Sequence, residues 1–462
     1  MFIGREEELT KLNKMYQSSK LEVAVIYGRR RVGKTTLINE FCKNKKTIFF
    51  AALENSAEQN LELLSNAIGY ADTSSSSSAV YKNFSGAFEK IKEMASSERL
   101  IFVIDEFPYL AQAENSISSL LQNYLDHQFK NTKLFLILCG SSMSFMENQV
   151  LGYQSPLYGR RTAQFKIMPF DYFDTGKWFP KYSPEDKALM YGITGGIPMY
   201  LEQFSPEKSV KENLLDCIFN KNAMLFEEPV NLLKQELREP AMYNAILTAV
   251  ASGKTKLSEI SSTVGMETGL CSKYIAKLIS LEILKKETPV TDPNSKRPIY
   301  LIEDLFFRFW YTFIPNNMAA ILSGRIRQAY KESIENRLSD YMGLVFEKMC
   351  KDFMLFHDEN LPFIIGEIGP WWGADSKTKK QVQIDIVAVS INKQEGIIGS
   401  CKYCNKLIGE DELKLMREYA QVINQFDKCY YFLFSKSGFT SSLKKHLDSD
   451  VRLITLSDLY EA

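Results

Sequence analysis

Within residues 28–36, read GRRRVGKTT, Gly28, Gly33, Lys34 and Thr35 fall on the spacing G-x-x-x-x-G-K-[ST]. Those residue types at that spacing suit phosphate binding. Glycines let successive backbone N–H groups curl round phosphate oxygens, and a helix starting in the loop aims its positive end at them. Lys34 can reach the outer phosphates of a nucleotide, and the Thr35 hydroxyl can ligate Mg2+. Arg29, Arg30, Arg31, Val32 and Thr36 complete the candidate phosphate cradle. Downstream, the apolar run 101–104 ends in Asp105 and Glu106. After a phosphate loop, Asp105 is placed to hold Mg2+ through water, and Glu106 to polarise the attacking water as general base. The run 134–139 leads into Gly140, Ser141 and Ser142. A hydroxyl there can sense the terminal phosphate, Ser141 first and Ser142 second; otherwise both are ordinary turn residues. The segment 156–161 (PLYGRR) supplies Arg160 and Arg161. Either guanidinium could neutralise transition-state charge, in cis or across a subunit interface.

These residues need a scaffold that presents them at one edge. The runs 23–27, 47–52, 100–104, 134–139 and 163–168 read as strands, with helical patterns between most of them. That alternation predicts an α/β fold, a parallel sheet covered by helices on both faces. The serine run 74–78 reads as a surface loop within it. After Pro169 the pattern turns helical (184–191 and 206–225), interrupted by the turn at 195–198, which predicts a helical lid. Residues 241–251, 256–264 and 268–281 read as three helices, and two short strands then flank the turn-rich 292–297. Three helices and a hairpin describe a winged helix. Its third helix would expose Lys273 and Lys277, and its wing tip Lys296 and Arg297. Such a module contacts either double-stranded DNA or protein. The aromatic block 305–313 reads as core or a domain seam. The expected domains are thus 1–170 for the P-loop core, 171–238 for the lid, 239–305 for the winged helix and 306–462 for a last α/β domain.

Composition narrows the partners. The 462 residues suggest about two to four domains. Lys+Arg and Asp+Glu both total 56, so global charge does not announce a nucleic-acid partner, and any such surface must be a local patch. Cys401 and Cys404 form the one close cysteine pair of eight, without the second pair a zinc site would need, so reduced thiols are expected. No apolar run reaches membrane-spanning length, and the first residues carry no long apolar core. A cytoplasmic protein with no membrane partner is expected.

Four segments together resemble the archaeal-type ATPase family, a branch of the AAA-like and signal-transduction NTPases. They are the opening Phe2-Ile3-Gly4-Arg5-Glu6-Glu7-Glu8-Leu9, the strand end 138–142, the PLYGRR segment, and the G-G-x-P-x-Y turn 195–200. The resemblance covers roughly the first half of the chain. It implies ATP with Mg2+ rather than GTP. It also implies that Ile3, Gly4 and Arg5 lie against the adenine, and that Gly195 and Pro198 line the base and ribose. A homo-oligomer is compatible with it. Members of the family often carry a C-terminal restriction-endonuclease-like core, and the tail is similar to one. That core gathers Mg2+ on an acid from a helix, an acid from a strand, and E-x-K on the next strand. Glu347, Asp385 and Lys402 match three of the positions, but Ser400 stands where the carboxylate of E-x-K belongs; Glu367 is a candidate substitute. The resemblance therefore implies an ATP-driven switch joined to a degenerate nuclease core. An ATP-gated nuclease and a nucleotide-binding scaffold without turnover are the alternatives.

Overall fold

The computed structural model describes residues 2–72, 80–295, 297–375, 379–445 and 447–461. The serine run 74–78 and Lys296 lie outside them. The chain divides into two compact units, Met1–Pro169 with Ile197–Met199, and Phe170–Gly196 with Tyr200–Ala462.

The first unit is built on a five-stranded parallel sheet. Its strands are β1 (Glu22–Tyr27), β2 (Thr47–Ala51), β3 (Leu100–Asp105), β4 (Leu134–Gly140) and β5 (Ala163–Lys166). Their spatial order is β2-β3-β4-β1-β5. The α/β sheet expected from the sequence is therefore present. Its strands are continuous apolar runs because both faces are buried. Val23, Val25 and Tyr27 point into one core with Leu100, Phe102, Ile104, Leu136 and Leu138. Ala24 and Ile26 point into the other with Ile101, Val103, Phe135 and Ile137. Parallel pairing sends the carboxyl ends of β1, β3 and β4 to one edge. That edge is where open α/β sheets bind ligands.

The second unit opens with helices Tyr172–Lys177, Pro184–Thr194, Val210–Cys217 and Glu228–Glu236. Ser183 caps Pro184–Thr194, with Pro184 in its first turn, and Gly195 stops it at φ 63, a conformation glycine adopts without Cβ strain. The helix expected over 206–225 is confined to Val210–Cys217, because Asn220 and the 3₁₀ turn at Met224–Phe226 break its period. Helices Pro240–Ala251, Leu257–Val264 and Thr268–Ser280 follow, then an antiparallel pair, β6 (Leu284–Glu287) and β7 (Ile299–Ile302). The aromatic block lies in the helix Leu305–Leu322, where Phe306, Phe307, Phe309 and Phe313 are fully buried.

The chain ends in a mixed sheet of β8 (Ile365–Ala374), β9 (Gln381–Ser390), β10 (Glu395–Lys402), β11 (Lys428–Ser435) and β12 (Val451–Thr455). Helix Asn336–Phe356 packs against β8, β9 and β10, and helix Glu410–Ile423 against β10 and β11. β8 is an edge strand with irregular register around Gly369 and Trp371. Pro370, which cannot donate to a ladder, sits at that irregularity.

Candidate functional site

The phosphate loop leaves β1 at Tyr27 and becomes the helix Lys34–Cys42 inside the motif itself. Two glycines make this path possible. Gly33 caps the helix at φ 87, and Gly28 sits at φ 156. A Cβ on Gly28 would lie 2.3 Å from the Ile167 carbonyl oxygen, on the neighbouring β5 side. Gly28→Ala should therefore destabilise the chain by about 1–3 kcal/mol, through forced displacement of β5 and backbone strain. Chemical denaturation of the two chains measures this, and equal midpoints would refute it.

Lys34 is buried, and its Nζ donates to the carbonyls of Gly28 at 3.0 Å and Arg29 at 2.8 Å. Burial pulls its ammonium below the ordinary lysine value, offset in part by the Glu106 and Asp105 carboxylates. The Thr35 hydroxyl donates to Asp105 Oδ2 at 2.8 Å, across 70 positions of sequence. A hydroxyl and a carboxylate meeting in this way form the hard-oxygen pair that suits Mg2+. Burial pushes the Cys139 thiol far up, reinforced by Asp105, so it behaves as a neutral wall.

Glu106 sits in the left-handed region at φ 50, unusual for a glutamate and a sign of a held position. Its backbone N–H donates to Asp105 Oδ1 at 3.0 Å. Its Oε2 accepts from the Ser141 hydroxyl at 2.9 Å and from the Ser141 N–H at 3.2 Å. Ser141 is itself buried at the end of β4. The structure thus joins Thr35 to Asp105 and Glu106 to Ser141 at one sheet edge. Ser142 opens the short helix Met143–Phe145 and makes no such contact with Glu106.

The remaining residues fall in different settings. Arg5, at φ 68 after Gly4 at φ 69, donates to the Val32 carbonyl at 3.2 Å, so the opening segment that includes Ile3 lies beside the loop. Pro198 lies 3.6 Å from where a Cβ on Gly33 would sit. Arg30 donates to the Tyr109 hydroxyl at 3.2 Å, and Arg31 takes a positive φ of 73. Val32 is buried, whereas Thr36 is exposed on the helix. Arg160 donates from one edge of its guanidinium to both carboxylate oxygens of Asp126, at 2.8 and 2.7 Å, and from Nη1 to the Pro156 carbonyl. Arg161 makes no side-chain hydrogen bond or ion pair among the described residues.

In the C-terminal sheet, Asp385 accepts the Cys401 N–H at 2.8 Å and lies 3.9 Å from Lys402 Nζ. Sequence reasoning missed Glu412. This residue of the helix Glu410–Ile423 accepts the Ser400 hydroxyl at 2.6 Å and lies 3.2 Å from Lys402. Burial lowers Lys402, but Asp385 and Glu412 together hold it above its ordinary value. Glu367 does not join them; it faces Lys393 at 3.4 Å. Glu347 is pushed up to about 8, by burial first and by the Asp385 charge second. Among the described residues, no three acids, histidines or cysteines converge as a metal cage. The residues therefore do not fit a complete metal site there.

Residues 2–204 match a family described as an ATPase domain predominantly from Archaea. Residues 310–416 match one described as archaea bacterial proteins of unknown function. An uncharacterized protein of Methanocaldococcus jannaschii is 34% identical over 426 residues, 90% of this chain and 91% of that protein. The chain belongs to the family of that protein, and its residues 2–204 to the archaeal ATPase domain. An uncharacterized ATP-binding protein of the same organism is 50% identical over 46 residues, covering 10% of this chain and 78% of that protein. The Walker-type ATPase of Pyrococcus abyssi is 19% identical with a TM-score of 0.51, covering 67% of this chain and 96% of that one. That likeness is one of fold. The first unit is accordingly a P-loop ATPase domain, with Lys34, Thr35, Asp105, Glu106 and Ser141 gathered at the carboxyl edge of its sheet.

Proposed function

We propose that the protein binds and hydrolyses ATP and uses the cycle as a switch for its second unit. The observation that carries this reading is the paired contact at the sheet edge, Thr35 on Asp105 and Ser141 on Glu106. Mg2+, held by Thr35 and through water by Asp105, would neutralise phosphate charge. Lys34 would exchange its two loop carbonyls for phosphate oxygens, losing no hydrogen bonds. Glu106 Oε1, free of the Ser141 bonds that hold Oε2, would take the proton from the attacking water. Ser141 fixes the direction of that carboxylate. The opening segment 3–5 and Pro198 would lie against the base and ribose. Direct measurement of Mg·ATP binding and phosphate release by the full chain tests the reading. Failure to bind any magnesium–nucleotide complex would overturn it.

Arg161, not Arg160, is the arginine we assign to the transition state. Arg160 is already committed to Asp126, which its charge holds below the ordinary carboxylate value. Arg161→Ala should keep nucleotide binding and lower turnover by about 10³-fold. Arg160→Ala should cost about 1 kcal/mol or less of stability, since its ion pair is partly exposed. Normal turnover in Arg161→Ala would remove that residue from the mechanism.

Three helices followed by the β6–β7 hairpin support the winged-helix reading. Lys273 and Arg297 are exposed on it, as a face for double-stranded DNA would require. The C-terminal sheet is read as a degenerate nuclease core that contacts partners without cutting. One observation favours active cleavage instead: Glu412 brings a carboxylate to the place Ser400 leaves without one. Assays of DNA and RNA with Mg2+ or Mn2+, with and without ATP, decide between them. Cutting that vanishes in Asp385→Ala would establish the nuclease, and no cutting under any condition would dismiss it.

A further inference from the structure

We propose that a cavity of about 400 Å³ in the second unit is a binding site for a small organic phosphate. It is enclosed by β6 and β7, the helices Leu305–Leu322 and Asn336–Phe356, and the β8–β9 edge. None of its residues belongs to the phosphate loop, and the inference does not depend on ATP turnover. The loop between β6 and β7 is fastened to β8 beside the cavity. The Val290 N–H donates to the Pro370 carbonyl at 3.0 Å, and the Trp371 ring N–H to the Thr291 hydroxyl at 3.0 Å. A volume of this size lies within the range of small-molecule sites, about 300–1,000 Å³.

The charges in the wall are unevenly matched. Lys285 and Lys348 share one carboxylate, Glu303, at 3.5 and 2.9 Å, and Lys285 also meets Glu287 at 2.6 Å. Lys351, one helical turn beyond Lys348, makes no hydrogen bond or ion pair among the described residues. It is half-buried, and burial together with Lys285 and Lys348 depresses its proton affinity. At the mouth, the exposed Arg337 rests over the Phe313 ring at 5.6 Å. The lining also holds Arg308 and the acids Asp340, Glu347 and Asp385, the last two shared with the candidate nuclease core. Of the three ammonium groups, Lys285 and Lys348 are paired with Glu287 and Glu303, and Lys351 is left for an incoming multi-oxygen anion. A phosphate can accept from all three, whereas a second carboxylate would offer only two oxygens. Val250, Leu301, Leu305 and Leu344 add apolar wall, which suits an organic body attached to the phosphate.

Calorimetric titration of the full chain carrying Lys34→Ala, which disables the loop, tests this with phenyl phosphate and with a 5′-phosphorylated trinucleotide. Binding at one site is expected, weakened about tenfold or more by Lys351→Met and restored by Lys351→Arg. Lys221→Met, exposed and outside the cavity, should leave it unchanged. Tighter binding of phenyl phosphate would mark a free metabolite as the ligand, and tighter binding of the trinucleotide a strand end. If Lys351→Met does not fold, Lys285→Met makes the same test from the opposite wall. No binding of either probe, or equal affinity with and without the Lys351 charge, would overturn the proposal.

Discussion

Glu106→Gln should bind Mg·ATP as tightly as the parent chain and turn it over about 10²- to 10⁴-fold more slowly, the usual contribution of a positioned general base. Glutamine keeps the length of the side chain, and its carbonyl oxygen can still accept both bonds from Ser141, as Oε2 does now. The main chain at residue 106, at φ 50, is held by the Asp105 carboxylate on its N–H, which the substitution leaves in place. What disappears is the ability to receive a proton. Equilibrium binding and single-turnover hydrolysis separate the two quantities. Ordinary turnover in this variant would show that the proton leaves by another route.

Lys34→Ala is the second large effect, expected on affinity. The parent lysine keeps its ammonium in a buried site at the cost of desolvation and satisfies it with two loop carbonyls. Each charge-assisted hydrogen bond to phosphate is worth about 1.5–3 kcal/mol, so nucleotide affinity should fall by about 100-fold or more. Stabilisation by ligand offers a sensitive readout, since nucleotide at a hundred times its Kd raises stability by about 2.7 kcal/mol. The parent should melt later with Mg·ATP, and the variant should show no shift. A parent-like shift in the variant would place the phosphates elsewhere.

The ATPase half was legible because its chemistry is written in contiguous stretches. The loop spacing places Gly28, Gly33, Lys34 and Thr35 by covalent geometry alone, and the runs before Asp105 and Ser141 announce buried parallel strands. The C-terminal half was less so, because its groups meet only after packing. Glu412 stands twelve residues from Ser400, on a helix whose angle to β10 no local pattern specifies. Glu367 was the nearer guess by motif, yet its place on β8 turns it to Lys393. Arg160 and Arg161 are equivalent in sequence, and only Asp126, more than thirty positions away, distinguishes them. β12 is a short strand, Val451–Thr455, and went unread among the polar residues of the tail.

Strand β4 runs between β1 and β3, so the strand that feeds the glycine loop and the strand that ends in the acids are not neighbours. Ser141, at the tip of that middle strand, is gripped by the carboxylate of one neighbour's end. A displacement of the stretch that begins at Ser141 would therefore reach Glu106 first, and the Thr35–Asp105 contact only through the peptide and hydrogen bond that join Asp105 to Glu106. One hydroxyl thus ties the stretch that follows β4 to the residue proposed as base.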